Sequence, residues 1–158
     1  MKITLLVIGK TDAEYLREGI AVYMKRLKHY VNFVLVEIPD IKNVTSMSPL
    51  ERTERECALL LEKHIHKTAH VILLDEHGRA RSSKEFATHL EKKIVGGIDD
   101  IIFVVGGPYG FTEELKKRAN ETLALSLMTF SHQMVRLIFV EQLYRAFTIM
   151  KGEPYHHE

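Results

Sequence analysis

A chain of 158 residues, 46% hydrophobic and 27% charged, has the length and composition of one globular domain whose core needs no covalent staples. Its formal net charge of +1 excludes a global field drawing it to naked nucleic acid or anionic membrane, so any RNA contact must come from local basic patches or from pairing two subunits. The lone Cys57 excludes an internal disulfide framework and fits a reducing cytoplasm, and no stretch approaches the length of a membrane span.

Residues 3–8 form a short, nearly continuous apolar run, the pattern of a strand buried on both faces. The run is too short for a secretory leader. Gly9-Lys10-Thr11 follows it and invites a phosphate-loop reading, but that loop needs a glycine where Thr4 stands. Asp12 is predicted to cap a helix reaching about residue 29, with Leu16, Ile20, Tyr23, Met24 and Leu27 on one stripe. Residues 33–38 read as a second strand. Residues 40–48 are polar, irregular and linker-like, and are predicted to be mobile. Pro49 suits the first turn of a helix running to about His64.

The third strand is predicted at 70–74. His64, His66 and His70 tempt a metal reading, yet only His66 and His70 have helical ligand spacing, and no Cys or carboxylate cluster completes a set. They are read as solvated histidines, with no metal expected. Ser82 or Ser83 begins a helix over 84–94, ended by Gly96-Gly97. Strands follow at 101–105 and, more weakly, at 122–126. Strand alternating with helix predicts an α/β fold with a parallel sheet covered on both faces, in a single domain over 1–158.

The strongest local signal is Gly106-Gly107-Pro108-Tyr109-Gly110-Phe111 after a buried strand, leading into Thr112-Glu113-Glu114. Threonine can cap the next helix, with acids in its first turn. Ligands of open α/β sheets bind at the carboxyl ends of strands, where glycines let them approach the backbone; a tight turn without a ligand is the other reading. The spacing is not the dinucleotide fingerprint, and the two acids would repel phosphate, so an uncharged or cationic ligand fits better. Leu125, Ser126, Leu127, Met128, Thr129 and Phe130 could clamp a flat heterocycle with backbone groups, or could be a plain connection.

The last thirty residues are a polar hinge around Ser131-His132, a helix of about five turns that is apolar almost all round, and the tail Tyr155-His156-His157. So apolar a helix must be buried on two sides, by its own sheet and by something else. Within it Glu141 and Arg145 are four apart and predicted to pair. Arg136, beside the hinge, is a candidate contact for an anionic group, or a solvated or carboxylate-paired arginine. Lys25, Arg26 and Lys28, and Arg79, Arg81 and Lys84, are local basic clusters that could meet RNA or simply be solvated.

At Gly106 to Gly110, Met128-Thr129-Phe130-Ser131-His132-Gln133-Met134, Glu141-Gln142-Leu143-Tyr144-Arg145-Ala146 and Gly152-Glu153-Pro154-Tyr155-His156 the chain resembles the RlmH family, large-subunit ribosomal RNA pseudouridine N3-methyltransferases of the SPOUT class. The match runs the whole length, including the opening Met1-Lys2-Ile3-Thr4 and Val71 to Asp75. It implies a five-stranded parallel sheet with a C-terminal deep trefoil knot, a homodimer packed through the knotted region, and S-adenosyl-L-methionine held by Leu74, Gly106 and the loop from Leu125 to Phe130. It also implies action on 23S rRNA within the assembled ribosome, in the cytoplasm. Tyr155 and His156 of one subunit would complete the partner's site. Two departures concern loop stiffness: Ser131 stands where many relatives have proline, and Tyr109 where relatives are often polar.

On that resemblance, His132 and His156 are the candidates for accepting the N3 proton, with loss of the proton to water the third reading. Tyr155 and His156 would position the base, and Arg136 or Arg145 would hold RNA phosphate or order the tail. The rival readings are a knotted RNA methyltransferase with another target atom, a non-catalytic ribosome-binding factor, and a Rossmann-like nucleotide enzyme, the last opposed by the missing phosphate loop.

Overall fold

In the computed structural model, which describes residues 1–157, the elements run β1 (Lys2–Ile8), α1 (Glu14–Leu27), β2 (Asn32–Ile38), α2 (Pro49–Leu59), β3 (His70–Ala80), α3 (Ser83–Val95), β4 (Asp100–Val105), α4 (Glu113–Arg118), β5 (Glu121–Ala124) and α5 (Met134–Met150). The five strands form one parallel sheet in the order β2-β1-β4-β3-β5. The apolar runs are continuous because each face is covered. Ile3, Leu5 and Val7 join Phe103 and Val105 beneath α1, α3 and α5. Leu6, Ile8, Ile102 and Val104 join Cys57 of α2 and Leu115 of α4 on the other face. The strand period of two is thus hidden inside runs that look uniformly greasy.

Capping chemistry explains most helix starts. Ser48 accepts from the Glu51 amide at 3.1 Å with Pro49 in the first turn, Ser82 and Glu85 form a reciprocal capping box, and Thr112 accepts from the Leu115 amide at 3.3 Å. Asp12 does not cap α1. The cap position is Ala13, without a side-chain bond, and the helix ends at Leu27. The Asp12 amide instead donates to Gln133 Oε1 at 2.9 Å, so this corner serves the hinge before α5. Residues 40–48 contain a 3₁₀ turn over Val44–Ser46, and α2 passes into a π-turn over Leu60–His64.

β3 is longer than expected. It pairs with β4 as far as Leu74, shifts register, and pairs again with β5 at Arg79 and Ala80. Gly78 makes this possible. A Cβ there would lie 2.7 Å from the Thr122 side chain and 2.9 Å from the Leu123 amide, so only glycine lets the two backbones approach. Polar residues 75–79 hide this continuation from any hydrophobic pattern. β5 accordingly occupies Glu121–Ala124 rather than 122–126.

Every residue of α5 is buried or half-buried. Phe139 is fully buried with its ring 4.6 Å from that of Phe103, a burial worth roughly 2–3 kcal/mol. The two-sided burial expected of this helix comes from the sheet on one side and from α1 and α3 flanking it. Between β5 and α5, residues 125–133 cross the carboxyl ends of β3 and β4 to reach the end of β1. That crossing builds the site.

Candidate functional site

A cavity of about 350 Å³ opens where β3, β4 and β5 end. Its walls hold Leu74, Gly106, Leu125, Ser126, Met128, Thr129, Phe130 and His132, so the glycine turn and the clamp loop, far apart in sequence, face one space. Leu127 is the exception among the expected contacts. It is 84% exposed and points away from this wall. Asp75 and Glu76 also line the cavity and were missed by the sequence reading. Their position directly after a buried strand was the available signal, since strand carboxyl ends are where open α/β sheets bind ligands.

Glycine is required at the floor. A Cβ on Gly106 would lie 2.9 Å from the Phe111 ring and 3.1 Å from the Gly110 carbonyl oxygen. The turn is closed by the Gly110 amide donating to Gly107 O at 3.2 Å, with Gly110 at φ 84°. At the mouth, the Thr129 hydroxyl donates to Glu76, and the Met128 amide donates to Ser126 Oγ at 3.0 Å. The walls are mainly apolar, the charged groups are two carboxyls, and no lysine or arginine among the described residues lines the space. Such a lining disfavours phosphate and suits a flat, neutral ring attached to a cationic centre.

The hinge is locked from behind by Arg136, which is 0% exposed. Its guanidinium donates to Ile8 O and Gly9 O, each at 2.9 Å, to Thr11 Oγ1 at 3.0 Å and to His132 O at 3.1 Å, with Glu37 at 3.5 Å. The expectation that Arg136 could touch RNA is therefore corrected. The carbonyls at the end of β1 and the start of α5 need donors, and this side chain is consumed in supplying them. Gln133 assists, donating to Lys10 O at 3.0 Å.

The tail is folded onto its own α5 and does not enter its own cavity. Arg145 pairs with Glu141 as predicted, at 2.6 Å, stacks over the Tyr155 ring at 4.7 Å, and lies 3.0 Å from His156 Nδ1. Tyr155 donates to Glu141 Oε1 at 3.0 Å, and its ring meets Tyr144 edge-on. Burial and the neighbouring Tyr23 and Glu141 push the Tyr155 phenol well above its ordinary value, so it stays a protonated donor. Tyr30 anchors the tail from α1's end through Glu153 at 2.5 Å, and that carboxylate pushes the Tyr30 phenol up to about 12. Arg145 thus orders the tail. Arg26, from one of the basic clusters, lies over the rings of Tyr23 and Tyr144.

Two of the three histidines read as solvated have partners: His66 meets Asp100 at 2.6 Å, and half-buried His70 meets Glu121 at 2.7 Å. Groups of three or more His, Cys, Asp or Glu able to hold a metal are not found among the described residues. None of the described helices is long and apolar enough to cross a membrane.

Comparison with known proteins places this geometry in a family. A family model described as a predicted SPOUT methyltransferase matches residues 1–156. The chain is 53% identical over 158 residues to a protein of Parabacteroides distasonis and 52% identical over 158 residues to one of Flavobacterium johnsoniae, covering 100% of both partners in each case. A Bacteroides fragilis protein is 46% identical over the same span. All three are named ribosomal RNA large subunit methyltransferase H. Among solved structures, a probable methylase family protein from Haemophilus influenzae shares the fold, with a TM-score of 0.51 and 13% identity over 99% of this chain and 70% of that one. This chain belongs to the SPOUT methyltransferase family, in its ribosomal RNA large subunit methyltransferase H branch.

Proposed function

We propose that this protein is an S-adenosyl-L-methionine-dependent methyltransferase acting on N3 of a pseudouridine in large-subunit (23S) rRNA of the assembled ribosome. The observation that carries the reading is the end-to-end relationship, 53% identical over 158 residues, to a chain named for that class of activity. The cavity supports it. Gly106 leaves the floor open, the loop from Leu125 to Phe130 offers backbone groups to an adenine ring, and Asp75 and Glu76 favour a positive centre. What S-adenosylmethionine supplies when bound is a methyl group already activated on a sulfonium, so the chemistry asks for no metal.

The remaining tasks fall to the chain. The walls exclude water and orient the target nitrogen toward the methyl, a positioning effect worth several orders of magnitude in rate. The N3 proton must leave before or during attack, and two histidines are candidate acceptors: His132 in the cavity wall, and His156 in the tail. Because the tail lies outside its own cavity, we place Tyr155 and His156 in the partner's site, which makes a homodimer the working unit. The crossing segment 125–133 is the stretch that the family's trefoil knot would thread. A chain of net charge +1 gains little from counterion release, so a preassembled ribosomal surface is a better substrate than free RNA. Action there places the protein in the cytoplasm.

The deciding experiment is transfer of labelled methyl from S-adenosylmethionine to purified ribosomes lacking the modification, followed by mapping of the modified nucleotide. Label at pseudouridine N3 in 23S rRNA is expected. Label on another atom would favour a different knotted methyltransferase, and co-sedimentation without methyl transfer would favour a ribosome-binding factor. Equal rates on naked RNA would overturn the assembled-ribosome part.

A further inference from the structure

We propose that Glu56 is a positioning residue for this cavity: its buried carboxyl holds the Gly106–Gly110 turn in the shape that admits the cofactor. The inference rests on the cofactor reading above and concerns a residue on the opposite face of the sheet from α5. Glu56 is only 3% exposed. A Cβ built on Gly107 would fall 2.3 Å from Glu56 Oε1 and 2.9 Å from its carboxyl carbon, so the carboxyl lies directly against the Gly107 backbone. Gly107 and Gly110 both line the cavity. The next residue of α2 braces the far end of the same turn, where the Thr112 amide donates to Cys57 Sγ at 3.4 Å. Two successive α2 side chains therefore grip both ends of a glycine-rich turn.

Within itself that turn is closed by the Gly110 amide donating to Gly107 O at 3.2 Å. Pro108 and Tyr109 are exposed, and the three glycines have the widest conformational freedom of any residue. Ordering it upon binding would weaken affinity; ordering it beforehand removes that cost. A buried carboxyl is a costly way to fill volume, since an apolar side chain would do so without desolvation. Burial pushes the Glu56 carboxyl above its ordinary range, and Arg52, 3.5 Å away and one helical turn earlier, pulls it back; Asp40 is the other charged neighbour. The placement of this group against Gly107 is the specific feature that the desolvation cost accompanies.

The test is calorimetric titration of S-adenosylmethionine into wild type, Glu56→Ala, Glu56→Gln, Gly107→Ala and the Glu56→Ala/Gly107→Ala double variant, with thermal melts alongside. Glu56→Ala is expected to weaken binding at least tenfold, and Glu56→Gln, which keeps the shape, to restore most of it. Gly107→Ala should be strongly deleterious in wild type, where its new methyl meets the carboxyl, and should add little once Glu56 is alanine. If Glu56→Ala does not fold, Glu56→Asp, which withdraws the carboxyl from Gly107, is read in its place and should weaken binding. Folded Glu56→Ala (or Glu56→Asp) binding within twofold of wild type, or Gly107→Ala equally harmful in both backgrounds, would overturn the proposal. Wild type without affinity for S-adenosylmethionine would instead sink the cofactor reading itself.

Discussion

Arg136 Nη2 donates to the carbonyl of Ile8 at 2.9 Å, tying the first turn of α5 to the last residue of β1 across 128 positions of sequence. The same guanidinium serves Gly9 O, Thr11 Oγ1 and His132 O. Burial alone lowers its proton affinity, and Glu37, Asp12 and Asp40 oppose that. One side chain therefore fixes where the crossing segment ends.

Replacing Arg136 by alanine should destabilise the protein by about 3 kcal/mol or more, because several buried carbonyls lose their donor at once. Arg136→Lys should recover only part of this, since an ammonium cannot reproduce the planar fork. Urea unfolding measures both. A loss of ribosome affinity in Arg136→Ala without loss of stability would contradict the buried, structural role.

Gly106→Val should abolish cofactor binding at some cost in stability. Its side chain would press on the Phe111 ring and the Gly110 carbonyl and so deform the cavity floor. At least a tenfold rise in Kd for S-adenosylmethionine is expected in the folded variant, together with a lowered melting temperature. Retained affinity would place the cofactor elsewhere.

Glu121 makes stability depend on acid. Burial by itself would raise its carboxyl, but Lys93, His89 and His70 outweigh that and hold it at about 2, against an ordinary 4.5. A depressed carboxyl contributes stability that is present above the unfolded value and lost as pH falls from about 4.5 toward 2. The contribution is roughly 2–3 kcal/mol. Glu121→Gln should lower stability at pH 7 by a similar amount and flatten the acid limb of a stability-against-pH curve. An unchanged limb in that variant would refute the assignment.

Deleting residues 154–158, of which Glu158 lies outside the described residues, should abolish methylation and leave cofactor affinity within a few-fold. Mixing this truncation with Gly106→Val should restore activity, because a heterodimer can pair one intact cavity with one intact tail. No recovery on mixing, with exchange of subunits verified, would argue against a site shared between subunits. Arg145→Ala should mimic the truncation in part, since Arg145 stacks on Tyr155 and meets His156.

Much of this protein is determined by the sequence itself. Uninterrupted apolar runs demanded a sheet covered on both faces, and Pro49, Ser82 and Thr112 marked helix starts, the last two through hydrogen bonds that span only three residues. The glycine turn and the clamp loop were legible as short motifs for the same local reason. What residues 75–80 do was not legible, because β3 continues through polar residues that pair only once β5 lies beside them. Nor was it legible that Asp12 stands one residue before the cap position, Ala13, with its backbone amide held by Gln133, 121 residues away. Arg136 is the clearest case. Its sequence neighbours are apolar, which leaves an anion contact and a solvated or carboxylate-paired arginine open, and the buried tie it makes instead is set by carbonyls of Ile8 and Gly9 that reach it only through the tertiary fold.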